Sequence, residues 1–373
     1  MKFTVEREKF LKALQRVNNI VSTRSMLPIL SNVLITAEEN LLRLTATDLE
    51  IRIDTSVEAV VAEPGVTTLP AKRLLALAGC FAGKDVEVSV DGNHHAQINC
   101  GSSRFKLLGL PADDFPEMVA FEPVREIKLQ ESLCRRMLNM VAYAVSIEDS
   151  RKALTGVLFA IQENSVTFVA TDSKRLAIQE SPIEFFDGKP GDAIVPIKAV
   201  NELKRMLEGD NPLSIKIGEK LCRIGEKLCR IESGNFVMTS KLIDGNYPNY
   251  RKVIPQEFSA NVEISAGKLR AKIETVGLAL PDMSGCVMLS FTENKLTLSA
   301  SSTEVGEGSD MIDIEYAGDP IDVTFNPKFF DDPLKICTVE KVRIRFNTKD
   351  PLNPVVMEGD PGFLYVIMPI RKS

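Results

Sequence analysis

Two Thr-Asp pairs could do chemistry: Thr47–Asp48 in LRLTATDLEIRI (42–53) and Thr171–Asp172 in VTFVATDSKRLAI (166–178). A carboxylate at a strand end can serve as a general base. Each Asp, however, follows Thr where one strand gives way to the next, and there an Asp side chain commonly caps the turn. A weaker third version, LTLSASST (296–303), has Ser301–Ser302 at that place, which suits a turn better than catalysis. The two histidines, His94 and His95, fall in a D-G-N-H-H turn and read as solvated loop residues. The sequence has no G-x-x-x-x-G-K-[ST] loop, no G-x-S-x-G and no H-E-x-x-H. It therefore offers no catalytic residue, no metal site and no cofactor loop, and the expectation is a protein that is not an enzyme.

The Thr-Asp stretches are landmarks of a larger repeat. The aligned alanines Ala46, Ala170 and Ala300 lie 124 and 130 residues apart, so one unit occurs three times. Each unit opens with a short strand and an amphipathic helix, at 3–22, 127–146 and 262–281. The first helix places Phe10, Leu11, Leu14, Val17 and Val21 on one face, with Lys9, Lys12 and Arg16 opposite. Alternating strands follow, at 32–37, 41–47 and 50–61 in the first unit and 154–162, 165–170 and 175–180 in the second. A second helix is predicted at 69–79, 195–209 and 325–337, the last made short or kinked by Pro333. A hairpin closes each unit. Linkers rich in Pro and acidic residues put boundaries near 122 and 254, giving domains 1–122, 123–254 and 255–373. The fold class is α+β: three repeated domains, each with two helices and antiparallel sheets.

Basic residues recur on all the helices: Lys12; Lys72 and Arg73; Arg135 and Arg136; Lys198, Lys204 and Arg205; Lys268 and Lys272; Lys328 and Lys335. The whole chain of 373 residues carries a formal charge of −6. Segregated charge of this kind draws a polyanion to one surface and repels it from the others. The helices lack the Asn, Gln and Arg clusters suited to base edges, so no sequence readout is expected. The seven cysteines form no C-x-x-C pair, which points to reduced thiols of a cytoplasmic protein. The N-terminus lacks the apolar core of a signal peptide, and no apolar run is long enough to span a membrane.

IGEKLCR occurs twice in tandem, at 217–223 and 224–230, which accounts for the longer second interval. A shift of seven residues exchanges the two faces of a strand. The expectation is that one copy loops out or pairs outside the sheet. Cys222 and Cys229 arise from this event and are given no metal role.

MKFTVERE at the N-terminus, LPIL-x-N at 27–32, TATDLEI at 45–51, LPADDFP at 110–116, ATDSKRLA at 170–177, DGNYPNYRKV at 244–253 and YVIMPIR at 365–371 resemble the bacterial sliding clamp family, the β subunit of DNA polymerase III. The resemblance runs over essentially the full length. It implies three similar domains forming half of a six-domain ring, closed by a second copy, with helices lining the hole around duplex DNA. The implied function is a processivity factor that tethers the polymerase, placed on DNA by a separate clamp loader. The alternative is an interaction scaffold that does not encircle DNA.

The resemblance also implies a peptide pocket for short linear motifs of polymerases, clamp-loader subunits and repair proteins. Its residues here would be Leu154, Thr171, Ser173, Lys174, Arg175, Leu176, Pro248, Val253, Val366, Met368, Pro369 and Ile370, with Arg175 and Arg371 as polar anchors at the rim. For DNA it implies Arg24, Lys72 and the loop 148–152 with Arg151 and Lys152. The helix faces add Lys12, Arg73, Lys198 and Lys204. Lys152, Ala153 and Lys174 depart from the commoner family pattern.

Overall fold

The computed structural model describes residues 1–21, 27–117, 121–220, 227–282 and 285–370. Arg24, Arg371 and Cys222 lie outside them. The first repeat runs β1 (Lys2–Glu6), α1 (Arg7–Asn18), β2 (Asn32–Glu38), β3 (Leu41–Thr47), β4 (Ile51–Glu58), β5 (Val60–Glu63), β6 (Gly65–Pro70), α2 (Ala71–Cys80), β7 (Asp85–Val90), β8 (His95–Cys100) and β9 (Ser103–Leu108). The second runs β10 (Phe121–Gln130), α3 (Glu131–Ala142), β11 (Gly156–Ile161), β12 (Ser165–Thr171), β13 (Arg175–Pro182), β14 (Phe185–Gly188), β15 (Gly191–Pro196), α4 (Ile197–Met206), β16 (Pro212–Lys220), β17 (Lys227–Ser233) and β18 (Phe236–Lys241). The third runs β19 (Ala260–Ser265), α5 (Ala266–Gly277), β20 (Val287–Thr292), β21 (Lys295–Ser302), β22 (Gly306–Asp313), β23 (Ile321–Phe325), α6 (Lys328–Leu334), β24 (Lys341–Phe346), β25 (Val355–Glu358) and β26 (Phe363–Ile367).

Side-chain period decides the elements. α1 buries Phe10, Ala13, Leu14 and Val17, one stripe of a 3.6-residue helix, while Leu11 is only half-buried. β4 alternates buried and half-buried residues from Ile51 to Val57. β11 is buried throughout and reads as a continuous apolar run. α6 is the shortest helix described, with Pro333 inside it. Among the described residues no helix is long and apolar enough to cross a membrane.

Strand pairing cuts across the repeats. One sheet has the order β14-β10-β16-β17-β18-β4-β3-β2-β6, and another β15-β11-β12-β13-β26-β25-β24-β19. Two smaller sheets are β5-β1-β7-β8-β9 and β22-β21-β20-β23. Accordingly the chain forms two compact units. The first is Met1–Cys134, Ile183–Lys189 and Lys198–Leu242; the second is Arg135–Pro182, Pro190–Ile197 and Ile243–Ser373. The second repeat is thus divided, one half completing a sheet begun by the first repeat and the other a sheet finished by the third. The mixing occurs at two strand pairs, β4 with β18 and β13 with β26.

The tandem duplication does not do what period-two reasoning suggests. Its first copy begins on β16 and its second ends on β17, with Ile217 opposite Cys229 and Glu219 opposite Lys227. Both described parts stay in the sheet, and neither is looped out. The insertion sits at the end of a hairpin, so it lengthens both arms and leaves the register below untouched. At Gly218 any Cβ would collide with the Glu122 carbonyl of neighbouring β10, so the lengthened arm needs glycine there.

Candidate functional site

The two Thr-Asp turns share one geometry. In the first, the backbone N–H groups of Glu50 and Ile51 donate to Asp48 Oδ1 at 3.0 and 2.7 Å, and Thr47 Oγ1 donates to the Ile51 carbonyl at 2.8 Å. In the second, Lys174 and Arg175 donate to Asp172 Oδ1 at 2.9 and 3.0 Å, and Thr171 Oγ1 donates to the Arg175 carbonyl at 2.6 Å. Leu49 and Ser173 between them have φ of 75° and 73°. Side chains rarely adopt that region, and the paired Thr and Asp bonds hold it. In the third repeat Ser302 Oγ accepts from the Glu304 N–H at 3.1 Å. Each carboxylate that looked catalytic is held through Oδ1 by backbone N–H groups and through Oδ2 by a cation, Lys198 for Asp48 and Arg175 for Asp172.

Beyond the turn, the second copy departs from the first. Leu176, 2 % exposed, lies opposite Val366 on β26, and both belong to an apolar cluster with Leu158, Val169, Ile178 and Val356. Tyr247, Tyr250, Ile254, Phe258 and Leu364 pack against it. The backbone N–H of Met368 donates to the Lys174 carbonyl at 2.9 Å, joining the tail of the chain to the turn. Met368, Pro248 and Val253 are exposed, Pro369 and Ile370 half-buried, and Leu154 buried. Further along, Ile178, Tyr250, Ile254 and Leu364 help line a cavity of about 590 Å³. The aromatic members of this socket were missed in the sequence. Their signal was present in the linker DGNYPNYRKV, where two tyrosines outside any strand need an apolar surface to cover.

Arg175 is not a rim anchor. It is 8 % exposed and donates to Asp172 at 3.0 Å, Asp332 of α6 at 2.5 Å and the Tyr143 carbonyl at 2.7 Å. Its guanidinium lies over the rings of Tyr143 and Phe329 at 5.4 and 4.9 Å. Burial alone would favour the neutral form; the neighbouring Tyr365, Asp332 and Asp172 reverse this and hold the pKa above its ordinary value. The arginine points to the side of the sheet that carries α6, away from Leu176, because adjacent strand residues face opposite ways.

Three matched repeats, two of them carrying a Thr-Asp turn, agree with the relatives of the chain. Residues 1–119, 128–249 and 251–371 match the N-terminal, central and C-terminal domains of the DNA polymerase III beta subunit. The beta sliding clamps of Escherichia coli K12 and Chlamydia muridarum are 34 % and 33 % identical, each over 100 % of this chain and at least 99 % of their own length. The sliding clamp of Pseudomonas aeruginosa, solved with griselimycin bound, superposes with a TM-score of 0.93 at 30 % identity, covering 100 % of both chains. The chain belongs to the β sliding clamp family.

The basic residues assigned to DNA in this clamp sequence differ in exposure and in partners. Lys72, Arg73 and Lys152 are exposed and have no ion pair among the described residues. Lys12 pairs with Glu208 at 2.7 Å, and Lys198 pairs with Asp48. Arg151 donates to Ser173 Oγ at 2.5 Å and lies 3.9 Å from Glu148. Lys204 is half-buried near the end of α4. The paired lysines would have to exchange a carboxylate for a phosphate, which weakens their part in binding.

Proposed function

We propose that this chain works as a non-enzymatic homodimeric ring that encircles duplex DNA in the cytoplasm and tethers the replicative polymerase through its peptide pocket. The three-domain division at 122 and 254 is kept as part of that reading. The observation that carries it is the pair of incomplete sheets. β5-β1-β7-β8-β9 has the strand arrangement of β14-β10-β16-β17-β18, and β22-β21-β20-β23 that of β4-β3-β2-β6. Together they are the two halves of a further nine-stranded sheet, and the half at each end lacks its complement. Pairing β9 of one copy with β22 of the other supplies it twice, so two copies close head to tail. Open edges of this length otherwise invite uncontrolled association.

The matched strands give the register. Met238 lies opposite Ile53 and Tyr365 opposite Ala177. The corresponding residues of the open strands are Phe105 and Gly308. Phe105, 46 % exposed, would lie over a glycine, and Lys106 would face Glu307. The basic helix residues Lys72 and Arg73 would meet phosphates, with no base readout and little resistance to sliding. The pocket around Leu176, Val366 and Met368 would take an apolar linear motif from a polymerase, clamp loader or repair protein. Arg24, Lys12, Arg151, Lys152, Lys198 and Lys204 complete the proposed DNA set, and Leu154, Thr171, Ser173, Lys174, Pro248, Val253, Pro369, Ile370 and Arg371 the pocket, with Arg175 beneath it.

The test is a Lys106→Cys, Glu307→Cys variant. Oxidation should cross-link two copies at both edges. Once loaded by a clamp loader, the closed ring should stay on circular DNA in high salt and leave when the circle is cut. A chain that remains monomeric, or leaves intact circles as readily as linear DNA, favours the non-encircling scaffold.

A further inference from the structure

The outer face of the nine-stranded sheet carries a trough of about 690 Å³ that runs from β10 across β16, β17, β18 and β4 to β3. Five strand spacings make this about 24 Å wide, enough for an extended segment of several residues. Its β3, β4, β17 and β18 portion corresponds to β12, β13, β25 and β26, which line the cavity beside Ile178 and Leu364 on the other large sheet; both linings carry charged residues. Arg52 and Arg230 are already engaged, by Asp54 at 3.1 Å and Glu232 at 2.7 Å. Arg43 and Lys128, at opposite ends of the trough, are exposed and have no carboxylate partner among the described residues. Between them the accessible apolar surface comes from Leu41, Pro212 and Val237.

We propose that this trough is a second protein-docking surface, taking an extended acidic peptide whose alternate side chains are apolar. The charge of the occupant follows from the two end cations that have no carboxylate partner among the described residues, Arg43 and Lys128, the latter lying 4.3 Å over the Phe185 ring. The alternation follows from the strand period: one side of an extended segment faces the apolar strip while the other presents carboxylates to the rim. A phosphate backbone fits less well, because it offers no apolar side chains to the strip of Leu41, Pro212 and Val237. The adjoining hollow by α1 adds no free charge from its lysines, since Lys9 pairs with Glu58 and Lys12 with Glu208. A clamp with both surfaces could hold two partners at once, one by an apolar motif and one by an acidic one. The proposal stands on the trough itself and does not depend on ring closure.

The probe is a fluorescein-labelled peptide alternating Glu and Leu, titrated against the full-length protein and followed by anisotropy. Saturable binding that weakens with salt is expected, with none for a peptide alternating Lys and Leu. Arg43→Glu with Lys128→Glu should weaken it about tenfold or more. The milder Arg43→Gln with Lys128→Gln should weaken it severalfold with the melting temperature unchanged, which separates lost charge from lost fold. Leu176→Asp should leave it intact. The proposal is overturned if no saturable binding appears, if the charge reversals change nothing, or if Leu176→Asp abolishes binding equally. It is also overturned if the reversals reduce binding of a short DNA duplex but not of the acidic peptide.

Discussion

The two large sheets are built alike and finished differently. After each Thr-Asp turn the strand begins with one cation and one apolar residue, in opposite order: Ile51–Arg52 in the first unit, Arg175–Leu176 in the second. Ile51 is 2 % exposed on the helix side while Arg52 lies on the outer face with Asp54; Leu176 lies on the outer face while Arg175 is buried against α6. The exchange continues across the sheet. Thr45, Asp54, Arg230 and Thr239 of the first unit correspond to Val169, Ile178, Val356 and Val366 of the second. One outer face is therefore a ladder of ion pairs, with Lys216 and Glu232 at 2.8 Å and Thr45 donating to Asp54 at 2.6 Å. The other is an apolar socket with aromatic walls. A repeated scaffold gains an apolar socket at one junction and a charged face at the other through substitutions that leave the backbone register unchanged.

The largest way to disturb this comparison is at Arg175. Arg175→Leu makes the second unit resemble the first at this position, but leaves Asp172 and Asp332 part-buried without their cation. A loss of about 3 kcal/mol or more is expected in urea unfolding. Adding Asp172→Asn and Asp332→Asn should restore much of it; no recovery would mean the arginine acts by packing rather than charge. Next is the pocket. Leu176→Asp should weaken a polymerase-derived peptide by about 2 kcal/mol, roughly thirtyfold, with the oligomeric state unchanged. Unchanged affinity would place the motif elsewhere.

A smaller effect separates the faces by pH. Burial pushes the Glu232 carboxyl up, but Lys216 and Arg230 more than offset this and hold it below its ordinary value of 4.5. A lowered folded-state pKa stabilises above the unfolded value, and that contribution fades as pH falls through the folded one. Stability of the first unit should therefore decline in acid, and Glu232→Gln should flatten that part of the profile. An identical slope in the variant would assign the decline to other carboxylates. The smallest effect concerns the hairpin. Deleting 217–223 should cost only about 1 kcal/mol, because the pairs from Leu213–Ser233 to Lys216–Arg230 remain and the retained IGEKLCR copy closes a shorter hairpin. A large loss would show that the extension itself stabilises the sheet.

Much of this was legible in the sequence because it is local. The Thr-Asp turns are closed by bonds spanning two to four residues, and the helices by their own apolar period, so a single window contains what determines them. Pro333 shortened α6 as its missing N–H requires. Leu176 and Val366, which the structure places in one apolar cluster, could be named together because the family motifs fall in matched positions. The packing of the half-buried linker tyrosines and the charged trough escaped notice, since both depend on distant strands.

The sequence by itself determined three repeats, their elements and the turn that organises each. Only the tertiary structure decided which strands join which, that the second repeat is shared between two units, and where each charge resides. The reason is distance along the chain. Arg175 is buried because Asp332 receives it from 157 residues away, and β4 ends beside β18 because each offers the other an open edge. Hydrogen-bonding edges and buried charges are satisfied by whatever the fold brings near, and spacing along the chain does not record that.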